Sequence, residues 1–226
     1  MTAISEAERR SATSVPEAAV DRAIDCVRRG DLLGYPTETV WGLGADASSD
    51  AALAKLRAFK GRADDAPVSV LLADPDAISA PDFDASPLAR ALASRFWPGP
   101  LTLVLPCRPR RFAVGVARED GAVGVRCSSH PASALLAKRL SDAGVGPLTS
   151  TSLNRSGEPA ARTRDEARAV RGAAGEAPML LDTPLDAGGE EASTVLDVCG
   201  ETPRVLRWGA LASETLTPVL EEISAA

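Results

Sequence analysis

Residues 122–150 read AVGVRCSSHPASALLAKRLSDAGVGPLTS. Ala122–Cys127 is a strand, Ala132–Ala143 a helix with its apolar side chains on one face, and Pro147–Ser150 the start of another strand. The same alternation extends outward. Upstream, Val20, Ala23, Ile24 and Val27 recur at helical spacing, with Ser14 and Glu17 at capping-box spacing before them and Gly30 after them. Leu32–Tyr35 reads as a buried strand, Asp50–Phe59 as a helix closed by Gly61, Val68–Leu72 as a strand, Pro87–Phe96 as a helix and Leu101–Leu105 as a strand. Downstream, Thr163 and Glu166 again have capping-box spacing and open a helix towards Arg171. Met179–Leu181, Thr194–Val198 and Arg204–Arg207 read as strands, and Thr217–Ile223 as a last short helix. Strands alternating with helices predict an α/β fold: a single domain with a twisted, mixed central sheet flanked by helices. Residues 1–13 are polar and aperiodic and are expected to be a flexible tail before a domain spanning 14–226. The segments 106–119 and 182–192 are expected to be the mobile loops.

Composition removes several reaction classes. The chain has 226 residues, 45% of them hydrophobic and 25% charged, with a net charge of −6. This balance is that of a folded soluble domain. There is no apolar run of about 18 residues to span a bilayer and no leader-like apolar core at the N-terminus, so a cytoplasmic location and no membrane association are expected. The single histidine, His130, rules out a His-rich metal site. The four cysteines, Cys26, Cys107, Cys127 and Cys199, form no CxxC pair and read as buried reduced thiols. No metal site is expected. The acidic balance weighs against a dedicated nucleic-acid binder.

Three stretches put small, polar and cationic residues where a packed core has no use for them. In Tyr35–Asp46, YPTETVWGLGAD, a strand empties into a turn bearing Thr37, Glu38 and Thr39, followed by two glycines. It matches neither the phosphate-loop pattern nor a complete dinucleotide fingerprint, and alone it also suits a plain strand–loop. Lys60-Gly61-Arg62 holds one of only three lysines; cations at a helix C-terminus are favoured by its dipole with or without a ligand. In Leu148–Gly157, LTSTSLNRSG, an apolar strand runs into Ser150, Thr151, Ser152 and Asn154, and in open α/β sheets ligands bind beyond the carboxyl ends of strands.

Taken together, YPTETVWGLGADA, KGR, RFWPGPLTLVLP, AVGVRCSSHP, STSLNRSGEP and STVLDVCGETPRVLRWG resemble, in order and spacing, the YrdC-like L-threonylcarbamoyladenylate synthases, from about Val20 to Trp208. The resemblance implies a large concave basic pocket and a nucleotidyltransferase that joins L-threonine, bicarbonate or CO2, and ATP into threonylcarbamoyl-AMP and pyrophosphate. Mg²⁺ is implied as carried by ATP. A hand-off to a tRNA threonylcarbamoyl transferase complex, for modification of adenosine 37 of tRNA, is also implied. It places Lys60 and Arg62 on the ATP phosphates as the catalytic pair, with Ser152, Asn154 and Arg207 also on ATP. Thr37, Thr39, Arg126, Ser150 and Ser193 fall at the threonine end, Thr39 ahead of Thr37. Without the resemblance, Arg126 reads as a structural salt bridge and Arg207 as an exposed strand-end charge. Ala63, Ala66, Leu153 and Trp208 depart from the family pattern, while Trp41 keeps an aromatic wall. Lys60→Ala and Arg62→Ala are expected to weaken catalysis by about 1.5–3 kcal/mol each while leaving the fold intact, on the reading that both lie beyond the core. Two competing readings are a carbamoyl-adenylate enzyme, for which zinc motifs are lacking, and a double-stranded-RNA-binding relative without synthase activity, against which the charge stands; direct RNA binding is expected to be weak or absent.

Overall fold

The computed structural model describes residues 15–61, 68–108 and 111–224. The elements in chain order are α1 (Glu17–Arg28), β1 (Leu33–Tyr35), β2 (Gly42–Gly44), α2 (Asp50–Lys60), β3 (Ser69–Leu71), a 3-10 turn (Pro75–Ser79), α3 (Pro87–Phe96), β4 (Leu101–Pro106), β5 (Ala122–Arg126), α4 (Pro131–Asp142), β6 (Leu148–Ser152), α5 (Arg164–Ala169), β7 (Met179–Leu180), β8 (Thr194–Asp197), β9 (Arg204–Arg207) and α6 (Ser213–Ser224). The strands form one mixed sheet in the order β7-β1-β2-β6-β3-β5-β4-β8-β9. Parallel pairs (β1 with β7, β3 with β5, β4 with β8) are interleaved with antiparallel ones. No helix among the described residues is long and apolar enough to cross a membrane.

Local chemistry accounts for most boundaries. The Ser49 side chain caps α2 by accepting from the Ala52 N–H, and Gly61 ends it at φ 61°, where a side chain would be strained. Thr163 and Glu166 form a complete capping box on α5. At α1 the expected cap is not seen: Ser14 lies outside the described residues, and Pro16 occupies the N-cap without a side-chain bond. The expected tail, residues 1–13, also lies outside them. Strand β2 is a departure from the loop that the sequence suggests, because Gly-Leu-Gly has little strand preference of its own. Pairing with β1 on one side and β6 on the other makes it a strand. Helix α6 starts a turn before the expected Thr217.

The twofold alternation of the strands separates two apolar cores. Leu53, Leu56 and Phe59 of α2 and Leu92 of α3 pack on Val70, Leu103, Leu105, Val123 and Val125. On the opposite face, Val20, Ala23 and Val27 of α1 and Leu136 and Leu140 of α4 cover Leu33, Leu71 and Leu148. That second face is only half covered. Leu71 pairs with Leu148 beneath the helices, but two residues along the same ladder the pair is Ser69 with Ser150. Side chains two apart on a strand share a face, so this face changes from apolar and covered to polar and open. The thiols differ from the sequence reading in part: all four are free, Cys26 and Cys127 are buried, and Cys107 and Cys199 are half-buried. Burial pushes Cys26 and Cys127 up to about 11, as expected of unreactive thiols.

Candidate active site

The uncovered half of the sheet is the floor of a cavity of about 230 Å³. Pairs of small residues make the floor: Gly42 opposite Ser152, Ser69 opposite Ser150, and Gly124 opposite Val104. Thr37, Thr39, Arg126, Ser150, Ser152, Ser193 and Arg207 all line it. Pockets that enclose a drug-sized ligand hold roughly 300–1,000 Å³. The enclosed space here suits an amino-acid-sized group, with anything larger extending over the open rim.

At one end the hydroxyl protons can be assigned by counting. Thr37 Oγ1 donates to the Val40 carbonyl at 2.7 Å and accepts from the Thr39 N–H at 3.1 Å. Its one proton is thereby used, so at the 2.8 Å contact between the two hydroxyls Thr39 is the donor. The lone pairs of Thr39 face Arg126 Nη1 and Nη2, each at 3.4 Å. Arg126 is buried and its Nη2 donates to Glu38 Oε1 at 2.5 Å. Glu38 Oε2 accepts from Ser128 Oγ, which in turn accepts from Ser133 Oγ at 2.8 Å. Arg126 Nε has no hydrogen-bond partner among the described residues. Arg126 is thus both a member of an ion pair and a wall of the cavity, so the two sequence readings of it are not exclusive.

At the other end Arg207 grips the Ser193 carbonyl at 2.7 Å through Nη2, and Ser193 Oγ lies 2.8 Å from Thr102 Oγ1. The Arg207 residue is exposed on the rim. Its pKa is lowered, first by loss of solvent around the guanidinium and second by the like charge of Arg126, so the two cations feel each other across the cavity. Arg118 is a third lining arginine, which the sequence reading missed; no motif marks it. It is bound to Asp197 and Asp120, each at 2.6 Å.

Lys60 and Asn154 stand behind the floor. Lys60 is buried, and its Nζ donates to the Ser152 carbonyl at 2.8 Å and to Asn154 Oδ1 at 2.5 Å. Asn154 Oδ1 also accepts from Ser152 Oγ at 2.7 Å. The expectation that Lys60 lies beyond the core is therefore corrected: its stem is packed inside and its ammonium ties the end of α2 to the end of β6. Arg62, Ala63 and Ala66 lie outside the described residues.

The loop of residues 182–192 packs against Trp41, one of the lining residues, and contributes Ala192 to the cavity wall. Asp186 Oδ1 accepts from the Trp41 indole N–H at 2.6 Å, and Oδ2 accepts from the Arg164 backbone N–H at 3.0 Å. Burial opposes the charge on Asp186, but the indole and the backbone N–H groups of Arg164 and Ala187 outweigh it and hold the carboxyl below its usual range.

The family model for Sua5, YciO and YrdC proteins, described as "Telomere recombination", matches residues 25–209. The chain belongs to this family. It is 42% identical over 193 residues to the threonylcarbamoyl-AMP synthase of Chromohalobacter salexigens, a match covering 83% of this chain and 99% of that protein. The Bacillus subtilis threonylcarbamoyl-AMP synthase is 32% identical, covering 93% of this chain and 59% of that one. Among solved structures, Pyrococcus abyssi Sua5 complexed with L-threonine aligns with a TM-score of 0.80 at 31% identity, over 91% of this chain and 58% of that one. The chain therefore spans a little over half the length of the last two.

Two departures of this Sua5/YciO/YrdC chain can be located. Leu153 turns away from the cavity into the core beside Trp41 and Leu43, so the larger side chain does not narrow the site. Trp208 is 48% exposed just beyond Arg207.

Proposed function

We infer that this chain is a threonylcarbamoyl-AMP synthase, and that its cavity holds the amino-acid half of the reaction while the nucleotide lies across the rim. The observation that carries this is the meeting of Thr37, Thr39, Arg126, Ser150 and Arg207, from distant stretches of chain, around one amino-acid-sized space. The relative solved with L-threonine and the synthases that match nearly the whole chain support the same reading.

In this reading threonine's carboxylate pairs with Arg126, whose guanidinium the protein leaves incompletely satisfied. Ser150 faces the amino acid. The free amine attacks bicarbonate-derived CO2, forming the N–C bond of a carbamate and releasing a proton. A carbamate oxygen then attacks the α-phosphorus of ATP, and the bond to pyrophosphate breaks. With bicarbonate as the source, one water leaves. Ser152, Arg62 and Arg207 serve the nucleotide side, where fixed cations and donors stabilise charge as it develops on phosphate, while Lys60 and Asn154 act from behind the floor by fixing the Ser152 end of β6. Mg²⁺ enters with ATP as part of the substrate, coordinated mainly by phosphate oxygens and water. Holding a carbamate away from bulk water is the cavity's main contribution, since it places the two reacting groups together. The product is an acyl adenylate suited to transfer to tRNA by a separate complex in the cytoplasm.

Among the described residues nothing in the cavity favours the RNA-binding reading, and the curated relatives at 42% and 32% identity carry the synthase name. Pyrophosphate release from ATP and bicarbonate, measured with and without threonine, tests the proposal. Strict threonine dependence is expected; turnover without threonine would overturn it.

A further inference from the structure

The segment 182–192 does more than flank the cavity. One residue in it, Asp186, is held by three elements that are otherwise separate. Its Oδ1 takes the Trp41 indole, its Oδ2 takes the first N–H of α5 at Arg164, and its backbone carbonyl lies 2.8 Å from His130 Nε2 at the start of α4. The tautomer of His130 follows from its surroundings. Its Nδ1 accepts from the Ala132 N–H at 3.2 Å, so the ring proton is on Nε2 and points at Asp186. Burial keeps the ring neutral by lowering its pKa. Arg164 adds a longer contact to the Leu185 carbonyl at 3.3 Å.

From this knot the segment runs on against the loop that carries Thr37 and Thr39. The Gly188 N–H donates to the Thr37 carbonyl at 2.9 Å. A Cβ on Gly189 would sit 2.9 Å from the Glu38 carbonyl oxygen and 3.0 Å from that of Thr39, so backbone lies directly on backbone. The 37–41 loop is thus fixed from both ends, by Gly188 at Thr37 and by Asp186 at Trp41. Between those two anchors lie the Thr39 hydroxyl and the Glu38 carboxylate that orient Arg126.

We propose that Asp186 is a positioning residue for the amino-acid substrate: by joining Trp41, α4 and α5 it holds the 37–41 loop in the register in which Thr39 and Glu38 aim Arg126 at the amino-acid carboxylate. It touches neither substrate. The nucleotide side, on Lys60, Ser152 and Asn154, meets this knot through the backbone, where the Leu153 N–H donates to the Trp41 carbonyl at 2.8 Å, whereas the Asp186 carboxylate acts on the Trp41 side chain and the start of α5. This rests on the reading that the Thr37–Arg126 end receives threonine.

The test compares Asp186→Asn and Asp186→Ala with the parent chain, measuring KM for threonine, KM for ATP, kcat and the thermal midpoint. The Asn side chain keeps an oxygen for Trp41 but meets the Arg164 N–H with an NH2 group or gives up the reverse pair, so one bond is lost. KM for threonine should rise roughly tenfold, the usual effect of one hydrogen bond to a charged group, while KM for ATP stays within about twofold. The Ala variant should raise it further. If Ala lowers the thermal midpoint severely, the Asn variant decides, because it is nearly isosteric. Equal rises in both KM values, or none in either, would overturn the positioning role. A parent chain that binds no threonine in calorimetry would overturn the functional reading and this role with it, whereas intact threonine binding in both variants would overturn only the role.

Discussion

Replacing Lys60 with methionine keeps most of the side chain's length and removes its ammonium. In the folded chain that ammonium donates at 2.8 Å to the Ser152 carbonyl and at 2.5 Å to Asn154 Oδ1, from a buried position. A hydrogen bond involving a charged group contributes about 1.5–3 kcal/mol. Asn154 Oδ1 keeps the Ser152 hydroxyl as a donor, at 2.7 Å, so the second loss is partly compensated. The methionine stem still packs. The net cost should be about 2–3 kcal/mol, and for a chain of this size each kcal/mol shifts the midpoint by roughly 2–4 °C, giving a fall of about 4–12 °C. Scanning calorimetry measures it, with pyrophosphate release assayed on the same preparation well below the transition. Both midpoint and turnover should fall, since the loop that Lys60 holds carries Ser152 and Asn154. A midpoint within about 1 °C of the parent would refute the view that the ammonium organises this loop.

The Glu38–Arg126 pair is nearly sealed, with side-chain exposures of 14% and 7%. Glu38→Gln leaves the guanidinium without its counter-charge; breaking a buried pair costs about 3–5 kcal/mol, and the opening to the cavity should bring this nearer 2–4. Urea denaturation checks it, and an unchanged midpoint would show the pair to be solvent-screened. His130 sets a pH dependence. Burial lowers its pKa below 6.5, with the Asp186 carbonyl opposing in part. The unfolded chain therefore takes up the proton first, so stability is full above pH 6.5 and declines as pH falls from there through the folded value. His130→Asn retains a cap for α4 without a titrating ring, and should flatten the decline seen in thermal midpoints between about pH 7 and pH 5.

Much of the architecture is legible in the chain itself, because its signals are local. Capping at Thr163, the stop at Gly61 and the helical spacing from Val20 to Val27 act within a turn or two, and the elements form where they point. The hydroxyls of Thr37, Thr39, Ser150 and Ser152 also stood out in the chain, since such groups at strand ends have no place in a packed core, whereas Arg126, Ser193 and Arg207 were marked only by the family resemblance. What local signals could not supply was partnership. Gly42–Gly44 is a strand only because β1 and β6 flank it. The Lys60 ammonium, which its own helix end would leave in water, is drawn inside by two acceptors, Ser152 at the end of β6 and Asn154 just beyond it, more than ninety residues away. Arg118 joins the cavity, and Asp186 the knot beneath it, through contacts that no spacing in the sequence announces.

The order of apolar and polar residues along the chain determined which faces are buried, because the free energy of removing apolar surface from water depends on composition and period. Where one strand's open half meets another's was decided by register. Ser69 falls opposite Ser150, and Gly42 opposite Ser152, only once the ladders close. Hydrogen bonds between strands fix that register over long separations, so the cavity, and the direction in which each of its charges points, exists only in the folded chain.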